Sequence, residues 1–154
     1  MNAHKFVAEH GIEEAKRVLE GTPCEATHFE FIKTAIYMQF CGGEWFWLNT
    51  NCNEWLLDYP NGITERQCLK ELKQVVESLD IVAKHGGLFC LKCQIEKGGY
   101  DFEWYGENGE FGFTELNVLK KAIADYELVE SYKQVKIEVL DMVDVSPRCE
   151  VRNG

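Results

Sequence analysis

The chain has 154 residues, with 16 Lys and Arg against 26 Asp and Glu, a formal net charge of −10. At 45% hydrophobic it is too apolar for a disordered chain, and its length suits one compact domain or two small modules sharing a core. No apolar run approaches the ~20 residues of a membrane span, and an acidic chain is ill suited to holding nucleic acid by neutralising phosphates. The segment Met1–Lys5 lacks the apolar core of a signal peptide, so a cytosolic location is expected.

Taken in chain order, the first expected elements are helices. Phe6, Val7, Ile12, Ala15, Val18 and Leu19 fall on one side of a helical projection, with Gly11 as a break and Gly21 and Pro23 as the stop. Strands follow. Phe29 and Phe31 alternate with His28 and Glu30, and Ile36, Met38 and Phe40 alternate with Tyr37 and Gln39. Trp45-Phe46-Trp47-Leu48 is apolar at every position, which predicts a central strand covered on two sides. Asn51-Cys52-Asn53 reads as a turn into Glu54–Leu57, and Pro60-Asn61-Gly62 as the end of that strand.

Thr64 with Gln67 forms a capping-box pattern before a helix whose buried face is Leu69, Leu72, Val76 and Leu79. Segment 88–95 fits either period. As a helix it turns Leu88, Leu91 and Ile95 inward and brings Cys90 and Cys93 to one side; as a strand it separates the two thiols. The helical reading is preferred. Tyr100, Phe102 and Trp104 then alternate with Asp101 and Glu103, and Gly106-Glu107-Asn108-Gly109 turns the chain toward Phe111 and Phe113. Thr114 is expected to open a helix with Leu116, Leu119, Ile123 and Tyr126 inward. Val135, Ile137 and Val139 predict a last strand at 134–140, and the tail from Ser146 to Gly154 is expected to fray.

Two stretches of the chain echo each other. Val7-Ala8-Glu9-His10-Gly11 matches Val82-Ala83-Lys84-His85-Gly86, and beyond one inserted glycine Ile12, Ala15, Lys16, Leu19 and Glu20 match Leu88, Leu91, Lys92, Ile95 and Glu96. Ile63-Thr64-Glu65 with Leu69-Lys70 is likewise matched by Phe113-Thr114-Glu115 with Leu119-Lys120. The expectation is an α+β fold with a mostly antiparallel, aromatic-rich sheet packed with helices, arranged as two imperfect copies of a helix–strands–helix module. The first copy would span 1–80 and the second, shorter one 81–145.

The seven cysteines (Cys24, Cys41, Cys52, Cys68, Cys90, Cys93, Cys149) are odd in number and scattered, which argues against a disulfide framework. They are expected to be free thiols serving mainly as core residues. Cys90-Leu91-Lys92-Cys93 is a single C-x-x-C without a second pair to complete a zinc site. His10 and His85 precede glycines and are expected to end helices.

The usual catalytic signatures are missing: no phosphate-binding glycine loop, no H-E-x-x-H and no G-x-S-x-G. Neither cofactor nor metal is expected. Glu103, Glu107 and Glu110 beside Trp104 and Tyr105 could suit a sugar cleft, yet solvated turn charges and core aromatics explain them more simply. The remaining feature is charge. Residues 96–130 hold nine acids (Glu96, Asp101, Glu103, Glu107, Glu110, Glu115, Asp125, Glu127, Glu130) against three lysines. Gathered on one surface they would steer a basic partner; dispersed, they would only solubilise the chain.

The pattern from Phe6 through Val7-Ala8-Glu9-His10-Gly11-Ile12 to Gly21-Thr22-Pro23, followed by strands holding Trp45, Trp47 and Trp55, resembles small early-region proteins of lambda-like phages and prophages of enteric bacteria. The copy from Val82 departs from that pattern, with Phe89 and Cys90 where the first has Glu13 and Glu14. The resemblance supplies no catalytic residue. It implies a nonessential phage gene in a region rich in proteins that inhibit host or defence machinery. The expected function is a non-enzymatic accessory protein that binds a basic host protein, a defence or nucleic-acid-binding factor, through Asp101, Glu103, Glu107, Glu110 and Glu115. The alternative is a small enzyme or ligand-binding domain with an aromatic, carboxylate or thiol pocket.

Overall fold

A computed structural model describes residues 2–57, 65–98 and 101–145, with backbone alone for 101–102 and 136–145. Helices α1 (Ala3–His10) and α2 (Ile12–Glu20) precede strands β1 (His28–Phe31), β2 (Ala35–Cys41), β3 (Glu44–Asn49), β4 (Glu54–Leu57) and β5 (Gln67–Cys68). Helices α3 (Leu69–Lys84) and α4 (Leu88–Lys97) follow, then strands β6 (Asp101–Tyr105) and β7 (Phe111–Glu115), and finally helix α5 (Leu116–Val145). The fold is α+β. Both sheets are antiparallel: five strands in the order β4-β3-β2-β1-β5, and the separate pair β6-β7. Among the described residues, no helix is long and apolar enough to cross a membrane.

The helical spacing of the N-terminal residues sends Phe6, Val7, Ala15 and Val18 into the core, where they meet Phe29 of β1 and Leu69, Leu72, Val75 and Val76 of α3. Phe6 holds the sheet to the helices through edge-on contacts with Phe29 and Phe31, ring centroids 5.2 and 5.1 Å apart. A second cluster gathers Val82, Leu91, Leu119 and Ala122, with Leu116, Ile123 and Tyr126 against it. The inward faces expected for α3 and α5 are therefore the observed ones. So is the helical reading of 88–95.

The two glycine corners match in geometry. Gly11 (φ 86°, ψ 162°) and Gly87 (φ 96°, ψ 172°) each precede a helix in a backbone conformation that side chains rarely adopt. Each also donates back to the preceding helix, Gly11 N–H to Val7 C=O and Gly87 N–H to Val82 C=O, at 2.9 Å. Downstream, α3 and α5 match when counted from their first residues, Leu69 and Leu116, which sets Leu72 against Leu119 and corrects the sequence match of Leu69-Lys70 with Leu119-Lys120. Leu72 and Leu119 are fully buried, as are Val82 and Val129 a few turns on. Lys16 of α2 pairs with Asp80 of α3 as Lys92 of α4 pairs with Glu127 of α5. The repeated segment at residue 82 lies within α3, so the 80/81 division expected between modules falls inside one continuous helix.

Several expectations are corrected. Residues 134–140 belong to α5: nothing between Leu116 and Val145 is glycine or proline, and an established helix continues at little cost through β-branched residues. Gln67 belongs to β5, opposite Phe29, not to a capping box, and α3 starts only at Leu69, whose N–H donates to Thr27 C=O at 3.0 Å. Thr64 and Pro60–Gly62 lie outside the described residues, as do Tyr100 and the tail from Ser146. Thr114 belongs to β7 and not to the helix after it. Strand β3 is hydrogen-bonded on both edges, yet Trp45, Phe46, Trp47 and Leu48 are only half-buried. The six described cysteines are free but not core residues: Cys24, Cys41, Cys52 and Cys90 are exposed, Cys68 and Cys93 half-buried.

Candidate functional site

Five of the nine acids between residues 96 and 130 fall on or at the end of the β6–β7 hairpin. Its turn is closed by Gly106 N–H donating to Glu110 C=O at 2.7 Å. The register sets Asp101 opposite Glu115, Glu103 opposite Phe113 and Tyr105 opposite Phe111 on one face, and Trp104 opposite Gly112 on the other.

The face carrying Trp104 is the anchored one. Lys84, at the end of α3, places its ammonium 4.5 Å from the centre of the Trp104 indole. His85, buried at the corner after α3, sits within hydrogen-bond reach of Gln94 on α4 (Nδ1 to Oε1, 3.1 Å) and of Thr114 on β7 (Nε2 to Oγ1, 3.2 Å). His85 and His10 do end helices, as expected, but they differ in burial: His10 is exposed and rests on Phe6 and Phe31. The buried histidine thus ties the hairpin to two helices.

The opposite face is open. Tyr105, Phe111 and Phe113 are 72%, 66% and 61% exposed, high values for aromatic side chains grouped on so small a sheet. Phe111 and Phe113 meet edge to face at 6.2 Å. Glu103 and Glu115 are exposed on the same side, Glu107 stands in the turn, and Glu110 is exposed beside Gly106. The Tyr105 hydroxyl donates to Glu103 Oε2 at 2.8 Å, and this bond together with the carboxylate charge raises the phenol's pKa above its ordinary value. No described lysine or arginine forms an ion pair with Glu103, Glu107, Glu110 or Glu115.

The other four acids do not join this surface. Asp125 is buried, 2.8 Å from His4 Nε2 and accepting a hydrogen bond from Ser78 Oγ at 2.6 Å. Glu127 pairs with Lys92 and Glu130 with Lys133. Glu96 is exposed on α4. Of these nine acids, only those of the hairpin gather in one place, and Tyr105, Phe111 and Phe113 stand among them. Sequence reasoning missed the exposed aromatics by treating strand aromatics as core. The available signal was that a two-stranded sheet has just one face to bury, and small residues occupy that face of β7.

A groove of about 480 Å³ lies between α2 and α3. Leu19, Leu69 and Val76 line it, and its one carboxylate, Glu77, faces Lys73 at 3.9 Å. It brings together no set of converging acids, thiols or imidazoles. Among the described residues no group of three or more His, Cys, Asp or Glu could hold a metal ion. No protein-family model, curated protein or solved structure matches this chain.

Proposed function

We propose that this chain is a non-enzymatic binding protein whose β6–β7 hairpin captures a basic, partly apolar surface of another protein. The observation that carries the reading is the co-facial placement of Tyr105, Phe111 and Phe113 with Glu103 and Glu115 on an open face. Exposed aromatics provide contact area at low entropic cost, and the carboxylates, which no described lysine or arginine pairs, steer cations and reject acidic competitors. The likeness of residues 6–23 to phage early-region proteins supports a bacterial host protein as the target. A defence factor or a nucleic-acid-binding protein fits best, since its basic surface normally meets phosphate and the carboxylates stand in for that charge.

The test uses purified chain and a panel of basic and acidic host nucleic-acid-binding and defence proteins, titrated at low and physiological salt. The proposal expects saturable binding to a basic member, weakened by Glu103→Gln with Glu115→Gln and by salt, together with loss of that member's activity. Equal binding of acidic and basic members, or binding indifferent to the hairpin substitutions, would overturn it.

A further inference from the structure

The two sheets correspond strand by strand at their helix-proximal ends. Strand β5 ends one residue before α3, and β7 ends one residue before α5. In the first sheet Phe29 stands opposite Gln67 and His28 opposite Cys68; in the second Phe102 stands opposite Thr114 and Asp101 opposite Glu115. Counting back from the helix starts, these pairs coincide, so β6 occupies the position of β1.

The two strands differ at their other edge. Along β1, that edge pairs antiparallel with β2 from His28 opposite Met38 to Phe31 opposite Ala35. Among the described residues, β6 pairs with β7 alone. An unpaired strand edge presents a row of N–H and C=O groups that a further strand can satisfy. The fold therefore holds, in its first half, an internal example of what the described part of the second half lacks.

We infer that the free edge of β6 accepts an extended, lysine- or arginine-bearing segment of the partner protein as an added antiparallel strand, in the place that β2 takes beside β1. This rests on the binding function proposed above and specifies its mode. Charge selects the occupant. A second copy of this chain, pairing β6 with β6, would bring its Asp101 and Glu103 positions alongside the same acids, and like charges across paired strands are unfavourable. A cationic strand meets Glu103 with its own charges while its apolar residues extend the patch of Tyr105, Phe111 and Phe113.

The experiment is residue-resolved amide hydrogen exchange on the full chain with a roughly eight-residue peptide in which every second residue, the set sharing one face, is lysine and valine in turn, with threonine between them. Two control peptides are a glutamate-for-lysine version and a lysine version N-methylated at every second residue. Strand addition predicts slowed exchange at the β6 amides directed away from β7, binding weakened about tenfold or more by N-methylation, and no binding of the glutamate peptide. If the N-methylated peptide binds as well as its parent and the β6 amides stay unprotected, strand addition fails while capture of a basic partner stands. If no lysine peptide binds, both readings fail. Concentration-dependent protection of β6 without peptide would assign the edge to a second copy and overturn the choice of occupant.

Discussion

Trp104 and Gly112 stand opposite each other in the hairpin, and the indole lies so close over the glycine that a β-carbon there would come within 2.8 Å of three ring atoms. The glycine is required by this approach and not by a turn. Gly112→Ala must push the indole off its seat and away from the Lys84 ammonium, at a cost of about 1–3 kcal/mol. Urea unfolding gives the loss, and a shifted Trp104 indole N–H resonance locates it. A variant that unfolds at the same urea concentration with an unmoved resonance would contradict this packing.

A buried carboxylate joins three helices elsewhere in the molecule. Asp125 of α5 lies beside His4 of α1 and accepts from Ser78 of α3. Asp125→Ala leaves the Ser78 hydroxyl and the His4 ring without that partner, a loss of about 2–4 kcal/mol. Ser78→Ala alone should cost less, because it removes one hydrogen bond and leaves the carboxylate with His4. In a double-mutant cycle the two substitutions should couple by about 0.5–3 kcal/mol. Strict additivity would mean that the 2.6 Å contact is energetically idle.

His28, on the face of the five-stranded sheet that carries Trp45, should contribute to acid sensitivity. Its ring stands edge-on to Trp45 at 4.8 Å, and burial, with Arg66 adding to it, lowers its pKa against the opposing pull of Glu71. A lowered value in the folded state means that the unfolded chain binds the proton first. Stability is thus full above the ordinary value of about 6.5 and declines as pH falls through it toward the folded value. His28→Phe should flatten the acid limb of a denaturation-midpoint-against-pH curve. Parallel curves for the two proteins would remove His28 from the account.

The α+β architecture and the inward faces of α3, α4 and α5 were legible because they rest on periodicity, with Leu72, Leu91 and Leu119 fully buried where spacing put them. The errors arose where neighbours decide. Val135, Ile137 and Val139 alternate as a strand would, but they continue a helix already established from Leu116. Asp125 looked like one more solvent acid, and only the approach of α1 and α3 makes it a buried acceptor. The acids of the hairpin could be read off the chain; that they share a face with three exposed aromatics was missed, because the small residues on the other face of β7 were the one signal and which face is covered is not local information. That depends on how Trp104 is covered by Lys84, a contact between segments twenty residues apart in sequence.

Tyr105 offers a reporter on the hairpin itself. Its phenol is held above the ordinary value by the hydrogen bond to Glu103 and by that carboxylate's charge. Glu103→Gln removes the charge, so the Tyr105 titration followed by NMR should move down toward about 10. A cationic ligand seated at Glu103 should move it the same way, whereas an acidic or neutral ligand should not. An unchanged titration in Glu103→Gln would detach the phenol from the carboxylate.

Binding and stability should separate at Phe111 and Phe113. Both side chains are mostly exposed, so their removal surrenders little buried area in the free protein. The double variant Phe111→Ala/Phe113→Ala should unfold within about 0.5 kcal/mol of the parent. Its affinity for a basic partner should nevertheless fall by about tenfold or more, because aromatic anchors contribute mainly when a partner desolvates them. Calorimetric titration beside urea unfolding measures both quantities on one preparation. A large stability loss with intact binding would assign these rings to the hairpin's own fold, and the open face would then be acidic without being adhesive.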